Sequence, residues 1–100
     1  MSTYVMKGKR RAFILIAIAP GSEENFIEKL IRYDEVIETH LVVGEYDVLA
    51  VLEFEVYGRG LLWSIQEIVS NFVLDKIRKL KGVRDTNTII PTRSLTKREL

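Results

Sequence analysis

Two apolar runs separated by a short polar break occupy the middle of the chain, over residues 39–54. The break is Gly-Glu-Tyr-Asp at 44–47, and both flanking runs are rich in Val and Leu. Because glycine reaches positive φ without steric cost, a glycine between two such runs is typical of a connection that reverses a strand. The pattern predicts a β-hairpin whose arms cover residues 36–43 and 46–55.

The stretch before this hairpin predicts a strand and then a helix. Residues 13–19 form an unbroken, Ile-rich apolar run, the pattern of a strand covered on both faces, and Pro20 and Gly21 end it. Ser22 is placed to cap a helix, and apolar residues then recur at three- and four-residue spacing. We therefore predict an amphipathic helix over about residues 23–33.

The stretch after the hairpin repeats this order in reverse. A loop is expected at 56–60, followed by a second helix to about Lys79 and a stop at Gly82. A last strand is predicted over 83–90. The apolar stripe of the second helix consists of Leu61, Ile65, Ile68, Val69, Phe72, Ile77 and Leu80.

The predicted order is strand, helix, strand, strand, helix, strand, which is the α+β, ferredoxin-like βαββαβ arrangement. It implies a four-stranded antiparallel sheet with two helices on one face and the first and third strands in the centre. Those two strands look apolar on both faces, yet the helices cover only one. The other face is therefore expected to pack against a second copy, which gives a dimeric α+β barrel by face-to-face sheet packing.

Composition narrows the class of protein. One hundred residues with 47% hydrophobic content fit one domain, and the net charge of +1 argues against a dedicated nucleic-acid binder. The absence of cysteine excludes disulfides and thiolate chemistry and suits the cytoplasm. We divide the chain into a basic flexible arm (1–10), the folded domain (11–92) and a polar C-terminal tail (93–100).

The basic residues before the apolar run at 12–19 imitate a secretory signal that ends in Ala-x-Ala. The run is short for a signal core and too short to span a bilayer, and Pro20 directly follows the cleavage point. We therefore interpret it as a strand and expect no contact with a membrane.

The hairpin break also carries the main candidate chemistry. Gly44 leaves backbone amides uncovered, Tyr46 offers an amphipathic ring and Asp47 an anionic acceptor, a set suited to a small zwitterion. The structural alternative stays open at this point. In it, Gly44 sets the turn, Tyr46 packs on a neighbour and Asp47 accepts a hydrogen bond from its own turn.

Two motifs resemble the effector-binding domain of the Lrp/AsnC transcription regulators over about residues 12–92. The hairpin matches the family pattern Gly-x-Tyr/Phe-Asp, and residues 82–88 match Gly-Val-x-x-Thr-x-Thr. The matching positions are Gly44, Tyr46, Asp47, Gly82, Val83, Thr86 and Thr88.

The resemblance implies a homodimer of stacked sheets, a ring of dimers, and a small amino-acid effector held where dimers meet, with no cofactor and no metal. Gly44 and Glu45 would supply backbone groups, and Asp47 would face the ammonium of the effector. The remaining lining residues implied by the resemblance are Tyr46, Thr88, Ile89 and Ile90.

Three departures from the family pattern matter. The DNA-reading helix-turn-helix of the family does not precede the first strand, so we expect a stand-alone effector domain without direct DNA binding. Val43 stands where the family often has Thr or Ser, and Lys81 stands where it often has Pro. The stretch 47–82 is longer than usual by roughly two helical turns, which would alter or block ring assembly.

Other candidate residues favour structural roles. His40 is the only histidine, and a metal site would need carboxylates at matching spacing. Glu53 and Glu55 share a strand face but suggest a solvated edge, and Trp63 suggests packing. The Gly-Arg-Gly at 58–60 lacks the rest of a phosphate-binding fingerprint.

The resulting expectation is a non-enzymatic ligand-sensing or assembly module that modulates Lrp/AsnC regulators, with possible co-assembly with full-length members. The alternative is a small cofactor-independent oxygenase of the dimeric α+β barrel class, with His40 and Tyr46 as candidate residues. A deep pocket enclosed in each subunit would favour the enzyme, and shallow half-sites around Gly44 would favour the sensor.

Overall fold

The Ile-rich strand lies at the centre of a four-stranded antiparallel sheet. The computed structural model describes residues 9–55, 61–95 and 97, and the side chains of all of these except 61–64. Strand β1 (Lys9–Ile18) pairs with β3 (Val48–Glu55) on one side and with β4 (Val83–Ile89) on the other. Strand β2 (Val36–Leu41) pairs with the outer side of β3, so the strand order is β2-β3-β1-β4. The prediction that the first and third strands are central is confirmed.

Helices α1 (Glu23–Leu30) and α2 (Leu61–Phe72) complete the ferredoxin-like βαββαβ order, which is also confirmed. Side chains alternate between the faces of a strand, and the even-numbered residues of β1 and β3 point toward the helices. The largest fully buried side chains of this core are Ile14, Ile16, Leu30, Leu52, Ile65, Ile77, Val48 and Val69.

Helix α1 is shorter than predicted. It ends at Leu30, and the next two turns are tighter, because the Arg32 and Tyr33 amides donate to carbonyls only three residues back. Ser22 holds the predicted N-cap position, but its side chain makes no capping hydrogen bond. Its hydroxyl donates instead to the Ala19 carbonyl at 2.9 Å, so it fastens the loop to the end of β1.

The second helix changes geometry near its C-terminal end. The α-helix ends at Phe72 and continues as a π-helix, Val73–Ile77, before the chain turns toward β4. The Arg78 amide donates to the Val73 carbonyl, five residues back, at 2.8 Å. This wider turn keeps both Val73 and Ile77 buried.

Each of the two edge strands of the sheet, β2 and β4, carries a β-bulge. On β4, Asp85 pairs with Ala17 and Val83 pairs with Ile18, so Arg84 is the extra residue. On β2 the extra residue is Ile37. Several parts for which the sequence made predictions lie outside the described parts of the chain. They are arm residues 1–8, the loop at 56–60 with its Gly-Arg-Gly, the side chain of Trp63, and tail residues 96 and 98–100.

Candidate functional site

The hairpin connection exposes its backbone at one end of the sheet. The Val42 amide donates to the Asp47 carbonyl at 3.0 Å and closes the connection. Gly44 has a φ of 145°, and no atom lies within 4 Å of the position that a β-carbon would take. Glycine is therefore favoured here by its conformation and not by lack of space. Gly44 and Glu45 are both exposed, which leaves their backbone groups accessible.

Asp47 ties this connection to the central strand. Its backbone amide donates to the Ile16 carbonyl at 2.9 Å, and its carboxylate Oδ2 accepts a hydrogen bond from the Ile18 amide at 2.9 Å. The structural alternative of a bond within its own turn is thus replaced by a bond to β1. The second carboxylate oxygen makes no hydrogen bond with the described residues. Asp47 can therefore hold the turn and still accept from a ligand.

Apolar side chains surround the same turn. Val43 is fully exposed, and Leu41 at the end of β2 is about half exposed, at 46%. Tyr46 is partly buried. The turn thus combines uncovered peptide groups, the carboxylates of Glu45 and Asp47, and an unpacked apolar rim.

The predicted lining residues of β4 do not join the turn within one chain. Ile89 pairs with Phe13, five residues before Ile18, which corresponds to about 16 Å along β1. Their side chains also differ in surroundings: Thr88 and Ile89 are exposed, whereas Ile90 packs against the core. A shared site for the turn and these residues requires a second copy.

The sheet face opposite the helices has an apolar centre. We call this surface the open face, and its centre comprises the apolar residues of β1, β3 and β4 that point away from the helices. On β4 the polar residues Asp85 and Asn87 pair with Ala17 and Leu15 on the same face. Ile89 is 47% exposed there, whereas Val51 is shielded by its neighbours. The residues of this centre are Phe13, Leu15, Ala17, Leu49, Val51 and Ile89.

Charged pairs border the open face. Glu53 lies 3.4 Å from Arg11 and 4.0 Å from Lys9, and all three side chains are partly exposed. On β2, His40 lies 2.9 Å from Glu38, and both are about half exposed. His40 and the carboxylates Glu53 and Glu55 therefore lie at a solvated rim. An apolar centre with a polar rim is the usual anatomy of an interface.

A groove of about 470 Å³ lies at the other end of the sheet from the hairpin connection. It is open to solvent, and neither His40 nor Tyr46 lines it. Its lining residues are Lys9, Asp34, Glu35, Ile37, Glu53, Phe54 and Glu55. Among the residues that the structure describes, no helix is long and apolar enough to cross a membrane.

The hydrogen bond between Asp47 and Ile18 was absent from the sequence prediction. The two residues are 29 positions apart, and a bond between them depends on the register of β1 with β3. The only sequence signal was the Asp itself, at the point where the second hairpin arm begins. The Arg84 bulge likewise left no signal in the alternation of β4.

Comparison with known proteins places these features in a family. The Lrp/AsnC ligand binding domain matches residues 11–56. An uncharacterized HTH-type transcriptional regulator of Pyrococcus horikoshii, PH1916, is 34% identical over an alignment of 82 residues. The alignment covers 79% of this chain and 49% of that protein. The chain therefore spans about half the length of this curated relative.

Solved structures share the fold. The crystal structure of FFRP-DM1 is 33% identical, with a TM-score of 0.64, over 82% of this chain and 97% of that chain. A transcriptional regulator of Neisseria meningitidis, NMB0573, solved as a complex with L-Met, is 21% identical with a TM-score of 0.73. That likeness covers 96% of this chain and 60% of the other, and it concerns the fold alone.

Proposed function

Because the chain belongs to the Lrp/AsnC family, as a ligand-binding domain, we propose that it senses a small amino-acid effector held between dimers and thereby modulates transcription regulators of that family. The observation that carries the proposal is the exposed turn around Gly44, fastened to β1 by Asp47. Bound effector would favour the assembly state that contains the complete site.

The chemistry of the turn suits an amino acid. A free amino acid needs donors for its carboxylate and an acceptor for its ammonium group. Exposed amides at Gly44 and Glu45 can supply the donors, and the second oxygen of Asp47 can supply the acceptor. The related regulator in complex with L-Met supports this ligand class. In this proposal Tyr46 shapes the pocket, and Thr88, Ile89 and Ile90 of another copy complete it.

The open face supports the dimer. Its apolar centre is continuous across three strands, and burying it removes about 25 cal/mol of unfavourable free energy for each Å² of apolar surface. We propose that a second copy covers it through face-to-face packing. Dimers would then meet at the sheet ends, where the turn provides half of each effector site.

The same features favour a non-enzymatic, cytoplasmic module without cofactor. The relatives are named transcriptional regulators, and the groove of the described subunit is open and lined mainly by carboxylates and not by the residues of the oxygenase hypothesis. Because the net charge is only +1, we propose that the module reaches DNA through co-assembly with full-length regulators and not by binding it directly.

A panel of the twenty amino acids tests the sensing function. Thermal unfolding and size-exclusion light scattering would be measured with each amino acid in the buffer. A ligand at 100 times its Kd stabilises the folded state by about 2.7 kcal/mol, which raises the Tm by on the order of 10 °C for a chain of this size. We expect one or two amino acids to raise the Tm and to change the assembly mass.

The matched control is Asp47→Asn, which keeps an acceptor oxygen for Ile18 and removes the negative charge facing the ligand. It should keep the unliganded Tm within a few degrees and lose the response to the amino acid. A wild-type protein whose Tm and mass ignore all twenty amino acids would refute the sensing function.

A further inference from the structure

The segment that joins the second helix to β4 carries a concentrated positive charge. Residues 76–84 contain five basic residues and no acidic residue. Among the residues that the structure describes, the ion pairs within 4.0 Å join side chains of β1, β2 and β3 only. The positive charge of residues 76–84 is therefore not neutralised by an ion pair with the described residues.

Two of the five cations lie close to α1 and the turn that follows it. The Lys76 ammonium lies 5.6 Å from the centroid of the Tyr33 ring. Lys81 precedes Gly82, which lies beside Ser22 at the start of α1, and the first turn of α1 is acidic. These two lysines therefore have an aromatic ring or nearby carboxylates as neighbours.

Arg78 is held against β4 instead. Its guanidinium Nη1 donates to the Thr86 hydroxyl at 3.0 Å. Thr86 pairs with the fully buried Ile16, so its side chain points to the sheet face that the helices cover. The Arg78 side chain is exposed and makes no other hydrogen bond or ion pair with the described residues. Because a guanidinium has five N–H donors, most of them stay free while Thr86 sets its orientation.

The π-helix Val73–Ile77 leads directly into Arg78. The Arg78 amide donates to the Val73 carbonyl, five residues back, at 2.8 Å. This wider turn rotates the following residues relative to their places in a continuous α-helix. Short π-helical turns are frequent at functional sites. The helix geometry that brings Arg78 to β4 is therefore an observation, independent of the charge, that points to the same position.

Acidic residues flank the basic segment but do not neutralise Arg78. Neither Asp75 nor Asp85 forms an ion pair within 4.0 Å among the described residues. Asp85 pairs with Ala17 and therefore points to the open face, on the opposite side of the sheet from the Thr86 side chain. Its carboxylate Oδ1 accepts a hydrogen bond from the Thr86 amide at 2.9 Å. The Arg78 guanidinium is thus available to an anion from solution.

We propose that Arg78 and Thr86 form an anion site, which we call the Arg78 site, and that it binds the phosphate group of a small phosphomonoester. Such a group carries a charge of about −1.5 to −2 at pH 7 and three acceptor oxygens. Two free guanidinium N–H groups and the Thr86 hydroxyl match these three acceptors, because the hydroxyl oxygen accepts from Arg78 and its own proton stays free to donate. Lys79, which is exposed and next in the chain, adds a second positive charge.

The surroundings of the Arg78 site favour a small phosphomonoester over a nucleic acid. A nucleic-acid backbone is a long row of single charges, and binding it requires a wide basic surface. The net charge of this chain is only +1, and the acidic first turn of α1 lies near the same segment. One phosphate group requires only the two side chains of the site and the charge of Lys79.

The Arg78 site is separate from the turn around Gly44. Asp47 bonds to Ile16 and Ile18 from the β3 side of β1, whereas Thr86 pairs with Ile16 from the β4 side. Since adjacent strands lie about 4.8 Å apart, the backbones at Asp47 and Thr86 are about 10 Å apart. Phosphate binding therefore does not require the amino-acid site, and either site can be lost alone.

Titration of the isotope-labelled full chain with inorganic phosphate and with adenosine monophosphate tests the proposal. NMR would follow the Thr86 amide and the arginine Nε–H signals at constant ionic strength, so that charge screening stays fixed. We expect saturable shifts with both probes. Arg78→Gln should raise the Kd about tenfold or more, and Thr86→Val about threefold or more. Thr86→Ser keeps the hydroxyl and should bind as wild type.

The matched control is Arg32→Gln. It removes the same charge from an exposed arginine whose side chain makes no hydrogen bond or ion pair with the described residues. This variant should bind both probes as wild type, and far-UV circular dichroism should show that every variant is folded. Equal weakening by Arg78→Gln and Arg32→Gln would overturn the proposal, because it would mean that general charge and not the Arg78 site attracts the anion.

Two further results would also overturn it. One is a set of shifts that stays linear up to the highest phosphate concentration, which would mean an adventitious ion only. The other is binding of duplex DNA at Arg78 without binding of either probe. Asp47→Asn should leave the Kd for phosphate unchanged, so that a failure of the amino-acid site and a failure of the Arg78 site can be told apart.

Discussion

The two faces of the sheet are built from the same kinds of side chain but have different surroundings. On β3, Leu52 points toward the helices and is fully buried, whereas Leu49 points to the open face and is only partly buried. On β1, Ile14 and Ile16 are fully buried, and Leu15 between them is not.

The difference separates the side chains that fold the subunit from those that, in the proposed dimer, pack against a second copy. Side chains on the helix-covered face contribute to stability in a single chain, because their cover is part of that chain. Side chains on the open face contribute fully only when another molecule covers them. Apolar residues on both faces of one strand therefore indicate assembly in addition to a core.

Truncation of the covered face should give the largest effect. Leu52→Ala removes a fully buried side chain and leaves a cavity, so we expect the free energy of unfolding to fall by about 3 kcal/mol. Urea unfolding in dilute protein measures it, with Leu49→Ala on the same strand as the matched control. The control should cost less than half as much, and equal losses would remove the distinction between the faces.

A charge on the open face should separate folding from assembly. Leu15→Glu would bury a carboxylate in the proposed interface, so we expect the dimer dissociation constant to rise about 100-fold or more. The far-UV circular dichroism should stay unchanged. Gln66→Glu, at an exposed position of α2, is the control. A dimer as tight as wild type in the Leu15→Glu variant would place the interface elsewhere.

Substitutions of Asp47 test how the hairpin turn is held at the end of β1. Asp47→Ala removes the acceptor of the Ile18 amide, so we expect a loss of about 1 to 2 kcal/mol of unfolding free energy. Asp47→Asn should recover most of it, because the amide oxygen still accepts. Thermal unfolding without ligand distinguishes the two. Equal destabilisation by both substitutions would mean that the hydrogen bond does not hold the turn.

The charged pairs at the rim of the open face should contribute least to the free energy of unfolding. Glu53→Gln weakens its contacts with Arg11 and Lys9, whose side chains are partly exposed, so we expect a loss of about 0.5 kcal/mol or less in dilute protein. The loss should shrink further in high salt, as measured by urea unfolding in two buffers. A loss comparable to that of Leu52→Ala would contradict the assignment of this pair to a solvated rim.

Sequence patterns predicted the helices and strands that are determined by residues close together in the sequence. The Ile-rich run of β1, the glycine between the hairpin arms and the acidic first turn of α1 each act within a few residues, and each of these elements is present. Their bounds differ from the prediction, because β1 begins at Lys9, within the predicted arm, and α1 ends at Leu30. The π-helix had no such signal, since the buried residues Val69, Val73 and Ile77 recur at the four-residue spacing of an ordinary helix.

Features that depend on register could not be predicted in the same way. Asp47 reaches the Ile18 amide only because β1 and β3 align as they do, and nothing near either residue encodes that alignment. The separation of the hairpin turn from Ile89 is also a result of topology. For the site, the sequence indicated which residues carry chemistry, and the fold determines which of them meet within one chain.

The most direct test of face-to-face packing is the mass in solution of wild type and of Leu15→Glu, measured by size-exclusion light scattering at micromolar concentration in high salt. Face-to-face packing predicts twice the subunit mass of 11.6 kDa for wild type and a single folded subunit for the variant. Wild-type protein at 11.6 kDa, or a variant that keeps the wild-type mass, would contradict the claim that a second copy covers the open face.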